Sequence, residues 1–254
     1  KLVHGGVRYL EKAVRGLDWR QYALVREALA ERRTLLRIAP HLTGTIPIMV
    51  PLYSRLWAPY YYLGTKAYDA VAGGAGLESS YWLSRSRALA AFPMLRREGL
   101  VGALVYHDGQ QDDARMGLAV VRTALWRGAM CLNYTEVVKL IRQEDGRLTG
   151  AKVRDRLSGE EYEIQATAVI NAAGPFCDAV RRMADPEVRP LIAASTGSHI
   201  VLPEHFSPRD MGLIDPATAD GRVVFFLPWQ SNTVAGTTDS PVTDFDAAAE
   251  PRAP

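Results

Sequence analysis

Residues 130–171 alternate between strand-like segments and turn dipeptides, and no other feature of the sequence constrains the fold as strongly. Three segments rich in strand-forming residues are separated by an Asp-Gly and a Ser-Gly dipeptide. Such dipeptides favour tight turns, so the pattern predicts a three-stranded antiparallel meander. The predicted strands are 135–142, 149–156 and 161–165, and the turns are Asp145-Gly146 and Ser158-Gly159.

Two short apolar segments flank the meander, at 130–133 and 168–171. An unbroken apolar run of this length predicts a buried strand of the parallel type. The second segment leads through small residues and Pro175 into a helical segment at 177–183, which predicts a strand–turn–helix unit.

Two amphipathic helices are predicted before the meander. Asp18 is a suitable N-cap for the first and Pro40 ends it, whereas Asp112 caps the second and Gly128 ends it. Together with further strand-like segments near the C-terminus, these helices predict a mixed α/β (α+β) fold. The later strand-like segments are 199–202, 222–227 and 233–236.

Composition and charge exclude several classes of function. The chain has 254 residues, 48% of them hydrophobic and 23% charged, which is typical of one large or two small globular domains. The net charge is only +2 and the basic residues are interleaved with acidic ones, so we expect no nucleic-acid partner. Cys131 and Cys177 form no metal-ligand motif, and no apolar run approaches the roughly 18 to 20 residues of a membrane span.

The first ten residues, KLVHGGVRYL, contain a candidate catalytic motif. If Gly5 and Gly6 open a helix, His4 and Arg8 lie four residues apart and can face the same way. Glycines at this position allow a flat ring or an anion to approach the backbone N–H groups. A base and a guanidinium at one spot suit deprotonation of an alcohol beside a phosphate or carboxylate. On spacing alone, an ordinary loop-to-helix junction with an incidental histidine is the more common explanation.

Two other motifs place small or polar residues at strand ends. Small residues at 172–174 would let the backbone of a cofactor pass close to the chain. The segments 197–199 (GSH) and 235–239 (AGTTD) place an imidazole and hydroxyl groups at strand ends. Each of these motifs, taken singly, also fits an ordinary turn and a histidine whose ring nitrogens are satisfied by the core.

The stretch 46–68 is rich in proline and aromatic residues and poor in charge. It is interpreted either as core or a packed surface loop, or as a segment at the membrane interface. In the second interpretation Trp57 and the tyrosines 60–62 lie at headgroup depth, and Arg55 and Lys66 contact phospholipids.

Six segments, taken in order, identify the family more specifically than any single motif. They are residues 1–11 (KLVHGGVRYLE), 106–115 (YHDGQQDDAR), 171–178 (NAAGPFCD), 197–203 (GSHIVLP), 221–229 (GRVVFFLPW) and 235–239 (AGTTD). In this order they resemble the FAD-dependent glycerol-3-phosphate dehydrogenases, and the block 215–229 is more similar to the mitochondrial members than to the bacterial ones.

The resemblance implies a flavoprotein of the D-amino-acid-oxidase superfamily, with a Rossmann-like FAD-binding domain and an antiparallel substrate-binding sheet. It implies oxidation of sn-glycerol 3-phosphate to dihydroxyacetone phosphate, with electrons passed through FAD to ubiquinone. The expected location is the surface of the mitochondrial inner membrane, or alternatively a bacterial cytoplasmic membrane. Residues 1–45 and 105–185 are assigned to the FAD-binding domain, and 46–104 and 186–254 to the substrate-binding, membrane-facing domain.

The resemblance also implies roles for individual residues. The catalytic residues are His4 and Arg8, and the substrate-binding residues are Tyr9, His199 and Thr238. The residues expected to contact FAD are Lys1, Leu2, Gly5, Gly6, Val137, Ala173 and Gly174. No metal site is expected.

One family element, the glycine-rich dinucleotide fingerprint G-x-G-x-x-G, does not occur in the sequence. We therefore expect an internal piece of the enzyme, incomplete at both ends and inactive on its own. Two alternatives to a quinone-linked dehydrogenase are an oxygen-reducing glycerol-3-phosphate oxidase with the same pocket and an inactive fragment that has lost FAD.

Overall fold

The computed structural model describes residues 1–5, 16, 18–73, 76–215, 223–238 and 240–242. The chain divides into two compact units, which are described separately. The first unit comprises Lys1–Val120 and Gly197–Asp239, and the second comprises Val121–Thr196 and Ser240–Pro254.

An eight-stranded sheet forms the centre of the first unit. Its strands are β1 (Leu2–Val3), β2 (Thr43–Leu52), β3 (Tyr81–Ser84), β4 (Gly102–Gln111), β9 (Ile200–Pro203), β10 (Gly212–Asp215), β11 (Val224–Trp229) and β12 (Asn232–Gly236). The order is β1-β4-β2-β10-β11-β12-β9, and β3 also pairs with β4. Every pairing is antiparallel except that of β10 with β2.

Three helices accompany this sheet, and a fourth begins at the end of β4. They are α1 (Trp19–Ile38), α2 (Ala58–Ala72), α3 (Arg85–Ala91) and α4 (Asp113–Trp126). The Asp18 carboxylate accepts from the N–H groups of Arg20 and Gln21, and Asp112 accepts from the N–H of Arg115. Both N-caps predicted from the sequence are therefore confirmed.

The sheet is covered on both faces because β2 and β4 alternate their side chains. Ile48 of β2 and Tyr106 of β4 pack with Val25 and Leu29 of α1 on one face. Met49 and other side chains of the opposite parity pack with α3 on the other face. The central strands are thus buried on both sides, which explains the continuous apolar run at the start of β4.

The second unit contains the meander that the turn dipeptides predict. Strands β5 (Thr135–Arg142), β6 (Leu148–Asp155) and β7 (Glu161–Gln165) pair antiparallel in the order β5-β6-β7. Gly146 and Gly159 have positive φ values, as these tight turns require. Helix α5 (Cys177–Ala184) follows, and β8 (Ser195–Thr196) pairs with β13 (Ser240–Pro241).

The two buried strands predicted beside the meander are wrong as descriptions of this structure. Segments 130–133 and 168–171 have no strand conformation, and Met130 and Ile170 are 85% and 88% exposed. Strand conformation requires a hydrogen-bonded neighbour, and no described strand pairs with either segment. The apolar side of α4 is also largely exposed, since none of its residues is buried.

Two of the domain boundaries drawn from the sequence fall inside strands. The boundary after residue 45 divides β2, and the boundary after residue 104 divides β4. These strands pair along their whole length from Thr43–Gln111 to Leu52–Gly102, so residues on both sides of the boundaries share one sheet. The assignment of these ranges to cofactor and substrate stays a prediction.

Candidate functional site

The first residues of the chain are fixed to one side of β4. Leu2 pairs with Gln110 in β1, and the Lys1 carbonyl accepts from the Gln111 N–H at 2.8 Å. The Lys1 ammonium lies 2.5 Å from Asp113 Oδ1 and 4.2 Å from the centre of the Trp229 ring. The hydrogen bond from Lys1 lowers the pKa of the Asp113 carboxyl to about 2. Lys1 and Leu2, both expected to contact FAD, therefore belong to an anchored segment, with Leu2 in β1 and Lys1 directly before it.

Gly5 occupies a position in which the main chain passes against the core. It is buried, and its N–H donates to Asp108 Oδ1 at 3.2 Å. A Cβ atom at this position would overlap the Tyr68 hydroxyl and the Leu29 side chain. The preceding residue, His4, is exposed. The structure therefore holds the backbone at Gly5 and leaves the neighbouring imidazole accessible to a ligand.

A buried ion pair, which sequence reasoning missed, supports this segment. Arg32 of α1 and Asp108 of β4 have side chains only 1% exposed, and their Nη1 and Oδ1 atoms are 2.7 Å apart. Arg32 Nη1 also lies 3.3 Å from Tyr68 Oη and 3.5 Å from the His107 carbonyl oxygen. The available signal was helical spacing, because residue 32 follows Val25 and Leu29 on the same face of α1.

Burial controls the titration of the groups around this pair. Desolvation raises the pKa of the Asp108 carboxyl, whereas Arg32 and, more weakly, His4 act to lower it. Desolvation also raises the pKa of the Tyr68 hydroxyl, and the nearby Asp108 adds to this effect. Tyr68 is therefore neutral throughout the physiological pH range and acts here as a hydrogen-bond partner.

Three residues of the first motif, Gly6, Arg8 and Tyr9, lie outside the described residues. Their roles stay predictions based on the family resemblance. The placement of His4 and Arg8 on one side of a helix also stays a prediction.

The motifs GSH and AGTTD meet at one end of the sheet. The Ser198 N–H donates to Thr238 Oγ1 at 2.9 Å, and a Cβ atom at Gly197 would overlap the Thr237 side chain. The His199 ring is stacked on Phe225 with 6.1 Å between ring centres. The two segments are thus in contact, as adjacent positions in one site would require. The substrate-binding roles of His199 and Thr238 stay predictions.

In the second unit, the predicted cofactor residues lie at two places. Val137 is on β5, an edge strand of the meander, where it pairs with Val153. Ala173 donates its N–H to the Asn171 carboxamide, and Gly174 begins the 3-10 turn before α5. Gly174 has a φ of +56° and nothing within 4 Å of its Cβ position. The backbone of this turn is accessible on that side, which fits the close approach of a cofactor.

The aromatic stretch 46–68 has a buried part and an exposed part, and its contact with a membrane stays a prediction. Its first part is β2, whose Ile46, Ile48 and Met49 are buried in the core. Segment 56–63 is largely exposed, with exposed fractions of 83% for Leu56 and 68% for Leu63, whereas Tyr68 is buried. The other exposed apolar side chains are Trp57, Tyr60, Tyr61 and Tyr62.

Lys66 does not have the free ammonium group expected of a phospholipid partner. It donates to the Ser80 carbonyl and lies 3.5 Å from Asp69. Among the described helices, none is long and apolar enough to cross a membrane. Within the same residues, no group of three or more His, Cys, Asp or Glu side chains could hold a metal ion.

The fold and these motifs define the class of protein. The FAD dependent oxidoreductase family matches residues 1–253, and the chain belongs to that family. This confirms FAD as the cofactor of the family and confirms the mixed α/β fold class.

The most informative relatives are glycerol-3-phosphate dehydrogenases, as the six sequence segments indicate. The mitochondrial glycerol-3-phosphate dehydrogenase of Mus musculus is 56% identical over 246 residues, which cover 95% of this chain and 34% of the relative. A probable glycerol-3-phosphate dehydrogenase of Encephalitozoon cuniculi is 48% identical over 94% of this chain and 39% of the relative. The chain thus spans about a third of the length of these curated relatives.

Solved structures agree with this family assignment. The glycerol-3-phosphate dehydrogenase of Bacillus halodurans, solved in complex with FAD, has a TM-score of 0.71 and 28% identity. The match covers 89% of this chain and 40% of that one. An L-alpha-glycerophosphate oxidase of Mycoplasma pneumoniae shares the fold with a TM-score of 0.63 at 16% identity.

Proposed function

We propose that this chain is part of an enzyme that oxidises sn-glycerol 3-phosphate to dihydroxyacetone phosphate with FAD. The observation that carries this proposal is the anchored segment 1–5, in which Gly5 is held by Asp108 and His4 is left exposed. The identity of 56% to a glycerol-3-phosphate dehydrogenase supports the same substrate.

In this proposal His4 takes the proton of the C2 hydroxyl group, for which a neutral imidazole is suited near neutral pH. Arg8 binds the phosphate, because a guanidinium stays protonated and offers a planar pair of donors. Tyr9, His199 and Thr238 contact the remainder of the substrate. When bound, FAD supplies the acceptor for the hydride from C2.

The residues that would hold FAD belong to two groups. Lys1, Leu2, Gly5 and Gly6 would lie against its ring system, where the main chain at Gly5 carries no side chain. Val137 would meet the adenine through its main chain. Ala173 and Gly174 would make a second contact with FAD, consistent with the accessible turn at Gly174.

The test is anaerobic reduction of the flavin in the full-length protein. Mixing with glycerol 3-phosphate should bleach the visible flavin absorption and yield one equivalent of dihydroxyacetone phosphate per flavin. Glycerol, which lacks the phosphate, is the matched control and should react far more slowly. A flavin that stays oxidised with glycerol 3-phosphate would refute the proposed substrate.

The same experiment in air separates dehydrogenase from oxidase. We propose that electrons pass to ubiquinone, so the reduced enzyme should reoxidise rapidly with a quinone and slowly with oxygen. Rapid formation of hydrogen peroxide would instead favour the oxygen-reducing oxidase. A full-length protein that binds no FAD would favour the inactive alternative.

A quinone acceptor requires access to a membrane surface, and we propose that residues 56–63 provide it. Leu56, Trp57 and Leu63 are exposed apolar side chains, and the three tyrosines have the amphipathic character found at membrane interfaces. We propose the mitochondrial inner membrane as the location, since close relatives are named mitochondrial; a bacterial cytoplasmic membrane is the alternative.

Vesicle flotation tests this surface. Replacing Trp57 and Leu63 together by serine should reduce binding of the full-length enzyme to anionic phospholipid vesicles without slowing flavin reduction. The matched control is Trp19→Ser, which removes a tryptophan of α1 that is more exposed than Trp57, at 79% against 51%. Unchanged flotation of the double variant would contradict the assignment of this surface.

A further inference from the structure

The Arg32–Asp108 ion pair is almost completely buried, and a contribution to folding stability does not by itself explain its presence. Both side chains are 1% exposed, and the free-energy cost of removing two such charges from water can match or exceed what their attraction contributes. Apolar replacements of a buried ion pair are often equally stable. The other contacts of the ion pair, with the Gly5 N–H and the Tyr68 hydroxyl, therefore indicate a role beyond stability.

One carboxylate oxygen joins three parts of the first unit. Asp108 Oδ1 on β4 accepts from Arg32 Nη1 on α1 at 2.7 Å and from the Gly5 N–H at 3.2 Å. Arg32 Nη1 also lies within hydrogen-bond distance of Tyr68 Oη on α2. These contacts leave the carboxylate little freedom to rotate away from Gly5.

The bond to Gly5 fixes the peptide group that follows His4. A trans peptide is planar, so an N–H of Gly5 directed at Asp108 turns the His4 carbonyl to the opposite side. The tight contact of Gly5 with Tyr68 and Leu29 prevents the backbone from shifting towards the core. The main chain beside the imidazole is therefore held from two directions.

Local structure explains how these residues meet. Asp108 has the same parity as Tyr106 on β4, so both side chains point to the face covered by α1 and α2. Arg32 is seven residues after Val25, two helical turns along the face of α1 that packs on this sheet. The Arg32 guanidinium from α1 and the Asp108 carboxylate from β4 therefore meet in the buried layer between the helix and the sheet.

We propose that Asp108, held by Arg32, is a positioning residue that fixes the Gly5 peptide and thereby His4 for removal of the substrate proton. The inference rests on the proposed function, in which His4 is the base. Asp108 does not touch the substrate in this proposal, and the feature that matters is a hydrogen-bond acceptor facing the Gly5 N–H.

Two double variants of the full-length holoenzyme separate positioning from stability. The first, called the asparagine pair, combines Arg32→Met with Asp108→Asn; it removes both charges but keeps an amide oxygen as acceptor for the Gly5 N–H. The second, called the leucine pair, combines Arg32→Met with Asp108→Leu; it removes both charges and the acceptor. Both should fold, because neither pair leaves an unpaired buried charge. The leucine pair should have a somewhat lower denaturation midpoint, because the buried Gly5 N–H then lacks its acceptor.

We expect flavin reduction by glycerol 3-phosphate to be about 10²-fold slower in the leucine pair than in the asparagine pair, since a displaced catalytic group costs about that factor. The KM should differ little, because the phosphate is bound elsewhere. Asp69→Asn is the matched control. The Asp69 carboxylate accepts from the N–H and the hydroxyl of the buried Ser80, and it has no hydrogen bond or ion pair with segment 1–5. This variant should leave the rate of flavin reduction unchanged.

Hydrogen exchange at the Gly5 amide supplies a readout that does not depend on turnover. Exchange should be faster in the leucine pair than in the asparagine pair. Equal exchange and equal reduction rates in the two pairs would overturn the positioning role. If the exchange difference is found but even the wild-type flavin is not reduced by glycerol 3-phosphate, the proposed function fails while Asp108 still positions the segment.

Discussion

The hydroxyl group of Tyr68 fills the space beside Gly5 in which any other residue would place its Cβ atom. The side chain of Leu29 closes the same space from α1. Glycine is therefore required at position 5 by packing. This contact connects the first candidate motif to the core of the first unit, because both Tyr68 and Leu29 belong to the apolar cluster beneath the sheet.

Gly5→Ala should destabilise the protein by about 1–3 kcal/mol, the usual cost of forcing an extra methyl group into a packed core. Adding Leu29→Ala removes one of the two side chains that the methyl group would overlap, although the Tyr68 hydroxyl remains. The double variant should therefore lose less than the sum of the two single effects. Urea denaturation of the four proteins in this cycle measures the coupling.

Gly44→Ala is the matched control for this prediction. Gly44 is an exposed glycine of β2 with nothing within 4 Å of its Cβ position. Its replacement should change the unfolding free energy by less than about 0.5 kcal/mol, as expected for surface positions. Strictly additive losses for Gly5 and Leu29 would show that the two positions do not compete for the same space.

His4→Ala in the full-length enzyme should slow flavin reduction by about 10²- to 10⁴-fold, the range typical of a lost general base. The flavin should remain bound, because the backbone contacts of segment 1–5 do not involve the imidazole. Stopped-flow absorbance measures the rate. His205→Ala, at an exposed histidine outside the motif, should have no such effect. Near-normal reduction in the His4 variant would remove this residue from the base role.

The sequence predicts local structure well where single residues control it. Asp18 and Asp112 identify the starts of α1 and α4, and the turns at Gly146 and Gly159 define the meander, with β5 and β7 at their predicted bounds. These features depend on contacts within a few residues, so they are visible in the sequence without knowledge of the fold.

Features that depend on distant partners were not predictable. Arg32 and Asp108 are 76 residues apart, and each carries a charge that normally indicates an exposed position. The apolar segment 168–171 has the composition of a buried strand, but conformation follows pairing rather than composition. The family motifs predict His4 and Gly5 as site residues, but the acceptor that holds the Gly5 N–H is visible only in the fold, where β1 lies beside β4.

Gly150→Ala should disrupt the meander of the second unit. A Cβ atom there would overlap the Ile164 carbonyl of β7, which is backbone and cannot move without breaking the pairing of β6 with β7. We expect a loss of at least about 1–3 kcal/mol. Gly117→Ala is the matched control, since it lies on the exposed surface of α4 with open space around it and should stabilise that helix by up to about 1 kcal/mol. A stable Gly150 variant would refute the tight approach of β7.

Asp178 should make part of the stability of the second unit dependent on pH. Its Oδ2 accepts from the N–H groups of Leu191 and Ile192 at 2.9 Å, and its Oδ1 lies 2.6 Å from Arg181 Nη1. The hydrogen bond from the Ile192 N–H is the largest of the effects that lower the pKa of this carboxyl, and Arg181 adds to it.

A carboxyl whose pKa is lower in the folded than in the unfolded state stabilises the fold only while it is ionised. The contribution of Asp178 is therefore fully present above the unfolded pKa of about 4 and is lost as the pH falls through the lower folded value. Asp178→Asn removes the titrating group, so the difference in unfolding free energy between wild type and variant should be largest near pH 7. The same difference should shrink as the pH is lowered from about 4 towards 2. Chemical denaturation across this range measures it, and a difference that stays constant with pH would show that the carboxylate charge does not hold the segment at 191–192.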